Sequence, residues 1–319
     1  MLDQLLYLLA RGLVGFLQAL PLAWVARLGR CGGALAYWCD ARHRRVAVRN
    51  ISRCFDGEKS PREIRALARQ NFRRIGENYA CAVKTASMSA GDLAGHMRVV
   101  GLEKLLPAGR VETPVSRVFA IGHFGNFELF ARAVQLLPGV RGATTYRALR
   151  QPGLNRVLLS LRERSGSLFF ERRLDGAALR AAINRKNIIL GLFSDQHAGD
   201  NGMRLPFFGL ECSTTKAPAV FALRYELPLH TAFCFWERPG HWRIEVGDEI
   251  PTRENGQPRS VAAIMLDVNQ AFEQAVRRDP ANWFWVHNRW KPGKPRPQNL
   301  DPAPAPAAEL ELNESGDGG

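Results

Sequence analysis

Apolar residues recur at helical spacing from the first turn of the chain: Leu2, Leu5, Leu6 and Leu9, then Leu13, Phe16, Leu17 and Leu20. The longest uncharged run, Gly12–Ala26, lies between Arg11 and Arg27 and contains Pro21. At 15 residues it falls short of the roughly 20 needed to cross a bilayer as a helix. Asp3, with no lysine or arginine in the first ten residues, does not fit a cleaved signal peptide. Two readings remain, a buried helical hairpin of the core or a segment lying in a membrane interface. The arginines that follow directly (Arg42, Arg44, Arg45, Arg49 and Arg53) favour the interface, because a basic neighbour holds an apolar helix over anionic lipid.

Further along, the pattern alternates between helical and strand periods. Ser60, Pro61 and Glu63 mark the start of a helix over 61–95, with Ser60 and Glu63 as a reciprocal cap. Residues 106–116 read as a polar loop. Strands are expected at 117–121, 142–146, 187–193, 230–236 and 242–246, and helices at 126–137, 155–164, 177–184, 216–225 and 261–278. Strands interleaved with helices predict an α/β fold, with a mainly parallel central sheet flanked by helices and an N-terminal apolar membrane-associating helical segment. The expected organisation is a membrane-associating segment at 1–40, an α/β domain at 41–291 and a Pro/Ala-rich acidic tail at 292–319, whose composition predicts disorder.

Charge sharpens this picture. From Asn299 onward the chain has five acidic and no basic residues, so residues 1–298 hold 44 basic against 25 acidic groups, a net +19. Such a body attracts anionic partners. Nucleic acid is disfavoured, because none of the recognition motifs of nucleic-acid-binding modules is present. The six cysteines lack CxxC spacing and do not cluster with histidine, so neither a zinc site nor a disulfide framework is expected.

The candidate chemistry sits in Gly122-His123-Phe124-Gly125-Asn126-Phe127-Glu128, directly after the apolar strand 117–121. His123 would stand at the carboxyl end of a strand, where open α/β sheets bind ligands. On a continuous helix His123 and Glu128 would point about 140° apart, so a glycine-assisted turn must intervene if they are to meet. Glu128 would then accept a hydrogen bond from one ring nitrogen and leave the other as a general base. Arg162 and Arg164 are candidates for holding an anion, or else belong to a solvated helix face. Asp195, ending an apolar strand, is either at the mouth of the site or a structural cap. Trp283 and Trp290 are either core or part of an interfacial belt. A hydrolase is disfavoured by the lack of a Gly-x-Ser-x-Gly elbow.

The segment resembles the His-x4-Asp/Glu motif of the lipid A biosynthesis lauroyl and myristoyl acyltransferases, a family that includes phosphatidylinositol mannoside acyltransferases. Further blocks match in order: Arg49-Asn50-Ile51 with Cys54-Phe55; Tyr146-Arg147, Asn155 and Arg162-Glu163-Arg164; Ser194-Asp195-Gln196, Pro206–Gly209 and Thr214-Thr215; and Asn282–Lys291. The resemblance implies an O-acyltransferase acting on a hydroxyl of a membrane glycolipid, a lipid A precursor first among them. The acyl donor would be an acyl-carrier-protein or coenzyme A thioester, with no cofactor. It also implies His123 and Glu128 as the catalytic pair and Asn126, Tyr146, Arg147, Arg162, Arg164 and Asp195 as substrate-binding residues. The place implied is the cytoplasmic face of a bacterial inner membrane. Other glycolipid or aminolipid acceptors, or a catalytically silent membrane-bound scaffold, are the alternatives.

Overall fold

The computed structural model describes residues 2–105 and 116–291; the expected loop at 106–116 lies outside them except for Ser116, and so does the acidic tail. Four helices open the chain: α1 (Leu2–Ala19), α2 (Leu22–Cys39), α3 (Ala41–Cys54) and α4 (Pro61–Thr85). The Ser60–Glu63 capping box forms as the sequence indicates. The expected 61–95 helix is divided, because a turn after Thr85 separates α4 from the short α5 (Ala90–Ala94), which Ser89 caps. Helices α2 and α4 cross at backbone contact. A Cβ on Gly33 would fall 2.1 Å from the Phe72 carbonyl oxygen, and one on Gly76 would fall 2.2 Å from that of Gly29.

Helix α1 is not a buried hairpin arm. It rests on α4 and on a later helix, α7 (Pro152–Glu163), where Asp3 accepts from the Gly153 N–H at 3.0 Å. Only Leu17 of α1 is buried. Leu2, Leu5, Leu8, Leu9, Leu13 and Phe16 are 55–70% exposed, and Trp24, Leu28, Leu35 and Trp38 extend the apolar surface along α2. Apolar surface of this extent marks an interaction site. No helix among the described residues is long and apolar enough to cross a membrane.

The remainder is the expected α/β body. After β1 (Met97–Val100) come β2 (Arg117–Ile121), α6 (Leu129–Ala133), β3 (Arg141–Tyr146), α7, β4 (Leu168–Glu171), α8 (Gly176–Asn184) and β5 (Ile188–Phe193). A two-stranded hairpin, β6 (Met203–Phe207) and β7 (Leu210–Thr214), follows, then α9 (Ala217–Arg224), β8 (Leu229–Arg238), β9 (His241–Ile250) and α10 (Val261–Arg278). Among the described residues, seven strands form one sheet in the order β1-β9-β8-β2-β5-β3-β4, parallel throughout except between β8 and β9.

Adjacent strands β2 and β5 send their connections in opposite directions, β2 towards β3 and β5 towards β8. Those connections run on opposite faces. Phe119, Ile121 and Ile189 pack with Phe130 and Val134 around α6, whereas Val118, Ala120, Leu190 and Leu192 pack with Ala219 and Ala222 of α9. A crevice outside the carboxyl ends of such a strand pair is the usual ligand site of an open α/β sheet. Residues 123 and 195 follow those two ends.

Candidate active site

The chain leaves β2 at Ile121 and turns at once. Gly125 has a φ of +53°, which places it in the left-handed region open to glycine. A Cβ there would lie 2.4 Å from the Cys234 carbonyl oxygen, and a Cβ on Gly122 would lie 2.5 Å from the Phe272 ring. Both glycines therefore serve close packing of the turn against β8 and α10. The turn consumes residues 122–128, so the expected 126–137 helix shrinks to α6 and a 3-10 turn at Val134–Leu136.

His123 is held by Asp195, not by Glu128. The Asp195 carboxylate accepts from the His123 backbone N–H at 2.8 Å and pairs with its Nδ1 at 2.9 Å. The Trp283 indole N–H donates to the same carboxylate at 2.9 Å. Burial pushes the Asp195 carboxyl up, but the His123 charge and the three hydrogen bonds outweigh it and hold the group below the usual carboxylate range. An ionised acceptor at Nδ1 fixes the proton there and leaves Nε2 as the basic nitrogen. Nε2 has no hydrogen-bond partner among the described residues, and the ring is partly open to solvent. Phe127, Phe193 and Phe284 surround it, with ring centroids 4.9, 4.4 and 5.9 Å away.

Glu128 binds Arg162 instead. Its two oxygens accept from the guanidinium Nε at 3.1 Å and Nη2 at 2.6 Å, a two-point contact that fixes the orientation of Arg162. Tyr146 and Phe169 pack against the guanidinium, 5.8 and 5.0 Å from its carbon. Nη1 remains without a partner among the described residues.

Of the other sequence candidates, Asn126 is buried beside the turn, with its amide N–H group directed at Thr85 Oγ1 at 3.3 Å. Arg164 points away, donating to the Ser87 carbonyl oxygen from an exposed position. Arg147 is exposed just past the end of β3. Neither residue joins the His123 cluster. Trp283 and Trp290 are buried core residues, which removes them from any interfacial belt.

Residues far from the His123 loop in sequence hold the 281–290 segment in place. Asn50 donates to the Trp285 and His287 carbonyl oxygens, and Asn71 to those of Ala281 and Trp283, so α3 and α4 pin the 281–287 segment over the site. Arg289 is fully buried and donates to the Gln196 and Ser213 carbonyl oxygens and to Thr214 Oγ1, which ties that segment to the loop after β5. His287 accepts from the His197 N–H at 2.9 Å, and burial lowers its pKa to about 4. Nothing in the spacing of these residues signalled such contacts.

Two cavities border the cluster. The first lies between the sheet and α6, with about 880 Å³ of empty space including its mouth. Phe119, Ile121, Gly191, Phe193, Phe130 and Val134 line it, and Glu128 and Arg162 are its charged residues. The second holds about 740 Å³ between α4, α6 and α7. Phe127, Glu128, Ala131, Arg162 and Phe169 are common to both walls.

Fold and site together define an open α/β protein with a partly buried histidine–carboxylate pair beside largely apolar cavities. The chain belongs to the bacterial lipid A biosynthesis acyltransferase family, whose match spans residues 1–292. No curated protein gives a significant match. Membership makes the chain an acyltransferase related to lipid A-type glycolipid synthesis.

Proposed function

We propose that the protein transfers a fatty acyl chain from an acyl-carrier-protein or coenzyme A thioester to a hydroxyl of a membrane glycolipid, a lipid A precursor by preference. His123 Nε2 takes the hydroxyl proton as the oxygen attacks the thioester carbonyl. Asp195 keeps the ring in the tautomer that exposes Nε2 and stabilises the imidazolium that forms. Arg162, steadied by Glu128, supplies positive charge to the tetrahedral oxyanion. The C–S bond then breaks, and the proton held on Nε2 is available to the leaving thiolate. Glu128 thus serves catalysis by orienting Arg162, in place of the role at the histidine that its spacing implied. No cofactor enters this scheme.

The observation carrying this reading is the Asp195–His123 pair beside an apolar cavity whose charged residues are Glu128 and Arg162. The exposed leucines of α1 and the +19 body support action at the cytoplasmic face of a bacterial inner membrane. The test incubates the full chain with acyl-carrier-protein or coenzyme A thioesters and a lipid A precursor, followed by mass spectrometry. One added acyl group with the native chain, and none with His123→Ala, is expected. Transfer to an aminolipid alone would move the acceptor assignment, and no transfer to any lipid would favour a silent scaffold.

A further inference from the structure

Where α2 and α4 cross at backbone contact, a groove of about 920 Å³, including its mouth, opens between them. Arg30, Tyr37 and Trp38 line it from α2, and Arg69, Gln70 and Arg73 from α4. It shares no lining residue with the two cavities beside His123, and no acidic residue lines it.

The α4 side of the groove belongs to a longer row of cations. Arg62, Arg65, Arg69 and Arg73 recur three or four residues apart, which sets them on one exposed face of the helix. None of the four has a hydrogen-bond or ion-pair partner among the described residues. Arg30 differs, because its Nη1 lies 2.9 Å from Glu77, a carboxylate that also accepts from the Trp236 indole and the Gly240 N–H. Asp40, just past the end of α2, is taken up by His43. The uncompensated charge of the groove is therefore that of Arg69 and Arg73.

The α2 rim is apolar. Trp38 lines the groove and also ends the exposed stripe Trp24, Leu28, Leu35 and Trp38, whose members are 44–67% exposed. Two arginines one helical turn apart present forked donors suited to phosphate oxygens. An indole beside them suits the headgroup level of a bilayer, where one end of the ring is wet and the other apolar. A free phosphate or an acidic protein helix could use the arginines, yet would leave the neighbouring stripe in water. A phospholipid satisfies both surfaces with one molecule.

We infer that the α2–α4 groove is a headgroup site for an anionic phospholipid of the bilayer, a lipid separate from the substrates of the His123 site. Arg69 and Arg73 hold its phosphodiester, Trp38 packs beside the headgroup, and its chains run along the exposed stripe of α2. This second attachment, beyond the leucines of α1, fixes how the α/β body stands on the membrane. The inference rests on the membrane-surface reading above and is independent of acyl transfer.

The test uses the full chain and vesicles of phosphatidylcholine alone or with one-third phosphatidylglycerol. Arg69→Gln with Arg73→Gln should lower affinity for the phosphatidylglycerol vesicles about 30-fold, the scale of two basic side chains lost from an anionic surface. Affinity for pure phosphatidylcholine should stay within twofold. The reference variant, Arg180→Gln with Arg185→Gln, removes the same charge from exposed positions on and just after α8, a helix that packs on β4 and β5. It should lose less than threefold. A phosphatidylglycerol probe with a diazirine in its headgroup should label residues 34–38 or 66–73. Equal losses in the two double variants would reduce the effect to net charge and overturn the site, as would labelling confined to other segments. Unchanged vesicle binding with weakened binding of acyl carrier protein would reassign the groove to that protein. A native chain that binds neither vesicle refutes the membrane reading and this site together, whereas phosphatidylglycerol binding that survives the Arg69 and Arg73 substitutions refutes the site alone.

Discussion

Asp195 grips His123 at two points, its backbone N–H at 2.8 Å and its Nδ1 at 2.9 Å, and so joins the ends of two adjacent parallel strands. The backbone contact fixes where the histidine stands, and the ring contact fixes which nitrogen is basic. Asp195→Asn keeps the shape but presents an amide that can stabilise the wrong tautomer. Acyl transfer should fall about 10²–10⁴-fold, the span of a lost general base, while the melting temperature changes little. An Asp195→Asn enzyme with native kcat, measured by radiolabelled acyl transfer, would sink the pairing as a catalytic device.

Glu128 and Arg162 form the second relationship of the site, and they predict a different kinetic signature. Arg162→Lys keeps charge but loses the fork that Glu128 holds at two points. It should lower kcat by roughly 10²-fold, the scale of one oxyanion donor, with KM for both substrates nearly unchanged. Glu128→Gln should lower kcat less, because the amide can still accept one of the two bonds. A pure KM effect in steady-state kinetics would move Arg162 from chemistry to substrate binding.

Stability should fall between pH 6.5 and about 4 for a definable reason. His287 is buried as the neutral ring with a pKa near 4, whereas the unfolded chain protonates near 6.5. Over that window the unfolded state binds more protons, so lowering the pH favours unfolding, by about 3 kcal/mol at most across the interval. Urea midpoints from pH 4.5 to 7 should show the decline in the native chain and a shallower one in His287→Gln. Identical slopes in the two proteins would assign the effect elsewhere.

The exposed leucines of α1 predict vesicle binding. Leu5→Gln, Leu9→Gln and Leu13→Gln together replace three side chains that are each more than half exposed, so folding should survive. Co-sedimentation with phosphatidylglycerol vesicles should drop at least tenfold, and raised salt should weaken the native interaction as screening shortens the reach of the basic body. Unchanged sedimentation would leave α1 as a protein contact surface.

Much of this organisation was legible from residue order. Local patterns located β2, β3, β5, β8 and β9 and helix α10 to within a few residues; β2 and β5 are nearly continuous apolar runs, β9 alternates buried and open positions, and Ser260 caps α10. Elements with weaker local signals went unseen. Strand β1 is four residues long, β4 has the mixed sequence Leu-Phe-Phe-Glu, and the β6–β7 hairpin turns through Phe208 and Gly209, both with positive φ. The N-terminal leucine pattern was visible, but whether it faced protein or solvent depended on the surface that α4 and α7 offered it.

The sequence by itself determined the α/β class, the family, the loop that carries His123 and the importance of the blocks at 146–164, 194–215 and 282–291. Tertiary structure alone decided which carboxylate meets the histidine. Glu128 is five residues away along the chain and Asp195 is 72, yet sheet order places β5 beside β2 and sets their carboxyl ends side by side. Spacing along a chain limits what a side chain can reach through its own backbone. Hydrogen-bonded strand register brings distant residues within 3 Å, and that register emerges only when the whole sheet has formed.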